Sequence, residues 1–379
     1  MLFRKLRMGL GRDLGVLVCW GRHRRAGRGF CTLLAAASTT ACLLLYLTAI
    51  SAPSAWDKQA EDAVGSNGWN EEETRHRMRD ARLDNDKRLR QIEQVCRRHN
   101  LGLYRQSAKA SSIKHPPTPQ YSVFYIDKPH KLAWCPIYKA ASSTWLYNFL
   151  ILGGVSEESL KTPKEQLSVL ARRIYPEPEY SEAEEAFRTN FVFMVVRHPF
   201  ERLLSAYRDK LENSKVGLEH GVLHFYEKYG RRIVSKYRFN RTLGRDAVMD
   251  LKEERIEPTF QEFVRYLIDE DLTRADDHWI PYYLFCTPCL LRYDFIAKVE
   301  TMQRDQEYVI RSSGLLGEKG IQPRWRHQTR GGRSVGDTAK LYFSQLTVKE
   351  IMALYNKYSL DFELFGYNPA EYLHYAKDG

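Results

Sequence analysis

Apolar and polar positions alternate along the chain in blocks of different period. From Phe30 to Ile50 the chain reads FCTLLAAASTTACLLLYLTAI, 21 residues without a charge. At 1.5 Å per residue, a helix of that length spans a ~30 Å hydrocarbon core. Residues 51–70 are small and polar without periodicity, the pattern of a flexible stem. Residues 71–99 are dominated by charge, with Met78, Leu89, Ile92 and Cys96 as a thin apolar stripe. That spacing predicts a solvated helix that needs a surface to dock on. The proline-rich stretch SSIKHPPTPQ at 111–120 then marks a break. The expected organisation is a tail at 1–29, a transmembrane anchor at 30–50, a stem with a charged helix at 51–115, and a catalytic domain at 116–379.

Beyond the break the pattern becomes strand–loop–helix. Leu132–Ile137 precedes the small-residue loop Tyr-Lys-Ala-Ala-Ser-Ser-Thr144 and the apolar helix TWLYNFLIL, which stops at Gly153-Gly154. Asn190–Val196 is an uninterrupted apolar run, suited to a strand buried on both faces. A helix from Pro199 to about Glu212 follows, with proline at its permissive first turn. Tyr293–Val299 reads as a further strand. Strands alternating with helices predict an α/β domain of three layers around a mainly parallel sheet. The C-terminal LTVKEIMALYNKYSLDFELFGY has helical spacing and is expected to pack in the core.

Charge narrows the setting. The chain carries +11, and residues 1–29 alone carry +7 of it. A chain coated with basic residues for nucleic acid is therefore excluded. The cluster RHRRAGR just before the apolar segment keeps that flank cytosolic, giving type II topology with the bulk of the chain in a lumen. A cleaved signal peptide is the weaker alternative, because its charged lead is rarely so long. Cys96, Cys135, Cys286 and Cys289 lie beyond the segment and can form disulfides there, with three pairings open. No metal-ligand cluster is visible. A sequon stands at Asn240-Arg-Thr242. Basic residues interleaved with aromatics at 225–257, and the loop QPRWRHQTRGGR at 322–333, read either as solvated faces or as surfaces for an anionic polysaccharide.

Candidate chemistry sits at two strand exits. In open parallel sheets ligands bind beyond the carboxyl ends of the strands, where helix amino ends present free N–H groups. The loop Lys139-Ala140-Ala141-Ser142-Ser143-Thr144, before Trp145, joins small residues to hydroxyl donors and one mobile ammonium. GxxxxGK[ST] is absent and no metal-site carboxylate is evident, so an ATP-dependent kinase is a further alternative that lacks the motifs it requires. Arg197 ends the second strand, and Ser205 lies eight residues on. Two anion-seeking loops predict a ligand with two separated anionic ends.

Taken together, CPIYKAASSTW and VVRHPFERLLSAYRDKLE, with HWIPYYLFCTPCLLRYDFIAKVET and DFELFGY, resemble the Golgi carbohydrate sulfotransferases. The similar branch contains the HNK-1, chondroitin 4-O-, dermatan 4-O- and GalNAc 4-O-sulfotransferases. The resemblance implies a P-loop-like sulfotransferase fold, a Golgi membrane location and the donor 3′-phosphoadenosine 5′-phosphosulfate (PAPS). It places Lys139, Ala140, Ala141, Ser142, Ser143, Thr144 and Trp145 around the 5′-phosphosulfate, and Arg197 and Ser205 on the 3′-phosphate. The acceptor it implies is a glycan, with C4 of GalNAc in chondroitin or dermatan as the expected position. Lys139 is expected to stabilise the leaving group and His278 to act as base, with Glu300 and His198 as weaker candidates for that role. The competing reading is a non-catalytic lumenal polysaccharide binder using the basic 225–257 face.

Overall fold

The computed structural model describes residues 70–107, 111–212, 222–239, 257–318, 321, 323 and 335–377. The expected anchor, the stem before Asn70, Asn240 and most of the 322–333 loop lie outside these residues. Among the described residues, no helix is long and apolar enough to cross a membrane.

A four-stranded sheet forms the centre, in the order β1 (Tyr125–Asp127), β2 (Leu132–Cys135), β3 (Phe191–Val196), β4 (Phe295–Lys298). β1 pairs antiparallel with β2, and the other two pairings are parallel. All of the β2 residues and all but the first of β3 are buried, as their unbroken apolar runs predicted.

Alternate strand residues feed opposite layers. Ala133, Cys135, Val192, Met194 and Ile296 join a cluster with α1 (Glu71–Arg98) and the long C-terminal helix Val348–Phe365. Leu132, Trp134, Phe193, Val195 and Ala297 pack instead against α2 (Ser142–Leu152), α3 (Leu167–Ile174) and the helix Met302–Ser312. The three-layer α/β expectation therefore holds. A further helical cluster brings together α4 (Pro199–Lys210), the helix Phe260–Asp269, Trp279 and the C-terminal helices.

The charged helix expected within the 51–115 stem is packed into the compact unit. The compact unit runs from Trp69, and α1 is built into it. Asn85, only 5% exposed, donates to the Asp294 carbonyl and accepts from the Ile296 amide, so it completes the ladder at the β4 edge. Arg88 donates to the Ile296 carbonyl and pairs with the buried Asp305 at 2.6 Å. The docking surface this charged helix needs is supplied both by its thin apolar stripe at Ile92, Val95 and Cys96 and by these polar contacts.

Of the three possible cysteine pairings, the structure has Cys96–Cys289 and Cys135–Cys286. The first ties α1 to the segment before β4. Gly102 passes so close to that bond that a Cβ there would lie 2.0 Å from the Cys289 carbonyl oxygen. With all four sulfurs bonded, the Cys286-Thr-Pro-Cys289 motif offers no thiolate to a metal.

Candidate active site

The loop after β2 is held open by its backbone. Lys139 (φ 68°) and Ala141 (φ 57°) both adopt the left-handed conformation, although neither is glycine. Alternation of this kind curls a loop so that its N–H groups converge, doing the work of the missing glycines. α2 begins at Ser142, and the amides of Ala141, Ser142 and Ser143 have no acceptor among the described residues. Free amides at a helix start make an anion site. The Ser142 and Thr144 side chains are buried, whereas Ser143 is half-exposed. Trp145 is fully buried against Phe193 at a ring separation of 4.5 Å, so it anchors the helix beneath the loop.

α4 links the two predicted motifs. Glu201, Ser205 and Asp209 recur every four residues and so share one helical face. Arg197 pairs with Glu201 at 3.1 Å, and Lys139 pairs with Asp209 at 3.1 Å. The two anchoring carboxylates are eight residues, or about 12 Å of helix, apart. Ser205 lies between them, half-buried, with its hydroxyl unbonded among the described residues. The Lys139 loop and the Arg197 strand end thus open on the same helix face, and the positive charge of Arg197 acts on Lys139.

The electrostatics are strongly coupled. Burial holds the Lys139 pKa below its ordinary value, offset in part by Asp209. Asp209 also faces Lys210 at 3.3 Å, and against its own desolvation the two ammonium groups bring its carboxyl down to about 2. Lys210 is buried, and its ammonium lies 5.0 Å from the centre of the Phe225 ring.

His278 reaches the same region. Its Nδ1 lies 2.7 Å from Asp276 Oδ1, and its ring stacks on Tyr138 with centroids 4.6 Å apart. Burial lowers its pKa, with Lys210 and Lys139 adding to the effect and Asp276 opposing it. A neutral imidazole that donates from Nδ1 to Asp276 leaves Nε2 as the acceptor. Asp276 also accepts from Tyr229 and faces Lys228, so it is itself fixed.

The two weaker candidates are elsewhere engaged. His198 caps α4 at the Phe200 amide and stacks on Tyr372. Glu300 accepts from the His198 amide and from the Tyr367 hydroxyl. Both brace the start of α4 against the C-terminal segment, and neither adjoins Lys139 by any of these contacts.

Arg202 escaped the sequence reading. It is 2% exposed and donates to the carbonyls of Tyr138 (3.0 Å), Asp277 (2.9 Å) and Ile280 (2.6 Å). One guanidinium thereby ties the residue before Lys139 to the residue before His278. The only signal was an arginine one turn beyond Arg197 on a helix, which looks like any surface residue until the carbonyls are placed.

The basic stretch at 225–257 is not a free positive face where it is described. Lys228, Arg231, Arg232, Lys236 and Arg238 are each paired with a carboxylate: Asp276, Glu227, Glu270, Asp269 and Glu262 respectively.

The family model described as Sulfotransferase family matches residues 122–368, the span that holds both loops and the sheet. The chain belongs to the sulfotransferase family. As a sulfotransferase it is PAPS-dependent. Carbohydrate sulfotransferase 11 of Rattus norvegicus is 28% identical over 290 residues, covering 75% of this chain and 76% of the relative. Carbohydrate sulfotransferase 14 of Danio rerio is 33% identical over 244 residues, 64% of this chain and 61% of the relative. Carbohydrate sulfotransferase 10 of Homo sapiens is 29% identical over 304 residues, 76% of each chain. No solved structure matches this sulfotransferase.

Proposed function

We propose that this enzyme moves the sulfuryl group of PAPS to a glycan hydroxyl, C4 of GalNAc in chondroitin or dermatan. The relatives' names, carbohydrate sulfotransferases 10, 11 and 14, support a sugar acceptor. The observation that carries the reading is the common face of α4. Glu201 and Asp209 tether Arg197 and Lys139 to that one face, which supports a single ligand spanning the two.

In this reading the free amides of Ala141, Ser142 and Ser143, with the Ser142, Ser143 and Thr144 hydroxyls, bind the 5′-phosphosulfate. Arg197 and Ser205 hold the 3′-phosphate, Arg197 with its fork already oriented by Glu201. The acceptor oxygen attacks sulfur in line, an S–O bond forms, and the bond to the bridging oxygen breaks. Adenosine 3′,5′-bisphosphate leaves. Lys139 moves from Asp209 to the bridging oxygen, where its ammonium stabilises the growing negative charge. His278 Nε2 takes the hydroxyl proton, and Asp276 stabilises the imidazolium that forms.

The location we propose is the Golgi membrane, with type II topology and the catalytic domain lumenal. Two disulfides suit an oxidising lumen, and Asn240 is open to N-glycosylation there. The test is transfer of radiolabelled sulfate from PAPS to a panel of desulfated glycosaminoglycans, with disaccharide analysis of the product. Label at C4 of GalNAc is the expected result. Label at another position would overturn the acceptor assignment, and absence of label from every glycan would overturn the reading.

A further inference from the structure

A cavity of about 630 Å³ opens beside the residues assigned to transfer. Its size is that of a small-molecule site, which runs from ~300 to ~1,000 Å³. Tyr138 and Asp277 line it, and these are the residues immediately before Lys139 and His278. Tyr125 of β1 and Arg172 and Arg173 of α3 supply other walls. Because Tyr138 also stacks on His278, cavity and base share an aromatic wall.

Two of these groups lack the partners their charges call for. The Arg172 guanidinium lies 4.2 Å from the centre of the Tyr125 ring and donates to the carbonyls of Val123 and Phe124. Carbonyls orient it but do not neutralise it, and it meets no carboxylate among the described residues. Arg173, by contrast, is paired with Glu165. The Asp277 carboxyl makes no hydrogen bond or ion pair among the described residues, and burial together with Asp276 pushes its pKa up. A half-buried cation, the half-buried Tyr138 ring and an unbonded carboxyl are complementary to an acidic sugar. A pyranose offers an apolar ring face, hydroxyl donors and one carboxylate that a guanidinium fork binds well.

We propose that this cavity is the acceptor subsite, seating a hexuronate next to the sulfated sugar, with its carboxylate on Arg172 and a hydroxyl donating to Asp277. The assignment rests on the sulfotransferase reading above and names the acceptor group that the enzyme recognises.

The test compares an unsulfated chondroitin hexasaccharide with its carboxyl-reduced form, for wild type and Arg172→Gln, and titrates adenosine 3′,5′-bisphosphate into both proteins. Carboxyl reduction is expected to lower the wild-type kcat/KM about 10- to 100-fold, the scale of one charge-assisted hydrogen bond. Arg172→Gln is expected to lose a similar factor on the native acceptor and less than about threefold more on the reduced one, by the same coupling logic. Nucleotide affinity stays at the wild-type value. Full sensitivity to carboxyl reduction in Arg172→Gln, with nucleotide binding intact, overturns the proposal, as does a wild type indifferent to carboxyl reduction. A wild type that binds no bisphosphate overturns the sulfotransferase reading and this inference with it. Should Arg172→Gln not fold, Arg172→Lys must keep the discrimination and Asp277→Asn must raise the acceptor KM at least about threefold; failure of either overturns the assignment.

Discussion

Replacing Lys139 by alanine separates chemistry from folding, because the structure provides for the group left behind. Asp209 loses its 3.1 Å partner but keeps Lys210 at 3.3 Å. The ~3–5 kcal/mol penalty of stranding one half of a buried ion pair therefore does not arise. Asp209 is also partly solvated, with 35% of its side chain exposed, so water screens what remains. The melting temperature should change little. The rate should not be spared: removing one preorganised donor from a leaving oxygen costs about 10²–10³ in kcat. Single-turnover sulfate transfer at saturating PAPS measures this, with a thermal melt in parallel. The pH profile gives an independent check. Burial lowers the Lys139 pKa, so the wild-type rate should begin to fall below pH 10.5 as the ammonium deprotonates. Lys139→Arg keeps its charge at every accessible pH, so it should lose that alkaline limb while retaining part of kcat. A kcat within about threefold of wild type for Lys139→Ala, at unchanged stability, would refute Lys139 as the stabiliser of the leaving group.

Four further outcomes follow from the same geometry. His278→Gln should lower kcat by about 10²–10⁴. It should also abolish the acid limb, which in wild type lies below pH 6.5 because burial lowers the His278 pKa and the neutral base forms as pH rises through it. Arg197→Ala should weaken adenosine 3′,5′-bisphosphate binding about 10- to 100-fold in calorimetry, yet leave the affinity for adenosine 5′-phosphate unchanged, since the contact proposed for Arg197 is with the 3′-phosphate alone. Arg202→Met strands three carbonyls and uncouples the Lys139 and His278 loops; a loss of about 3 kcal/mol in urea denaturation, with kcat reduced in the protein that remains folded, is expected. Cys96→Ser with Cys289→Ser opens a link between residues 193 apart and should cost about 3–5 kcal/mol of stability by denaturant titration, with nucleotide affinity retained in the folded protein.

Much of the architecture was written in local patterns. A four-residue apolar run at β2, a six-residue run at β3 and the proline that opens α4 need only their neighbours in sequence to be read, because both periodicity and φ restriction are local. The positions of the Lys139 loop and Arg197 at the exits of β2 and β3 were legible for the same reason. Decisions that join distant residues were not legible. Nothing local tells that Asn85 and Arg88 seal the β4 edge more than two hundred residues away, so the surface on which this charged helix docks cannot be read from it. Neither does composition reveal that Lys228, Arg232, Lys236 and Arg238 are spent on carboxylates from other segments. The cysteine pairing, the Arg202 brace and the shared α4 face all depend on which surfaces meet once the layers close. Hydrophobic period and turn chemistry set the elements, whereas charge pairing and hydrogen bonding act over a few ångströms of space without regard to chain distance, and only the folded structure fixes those.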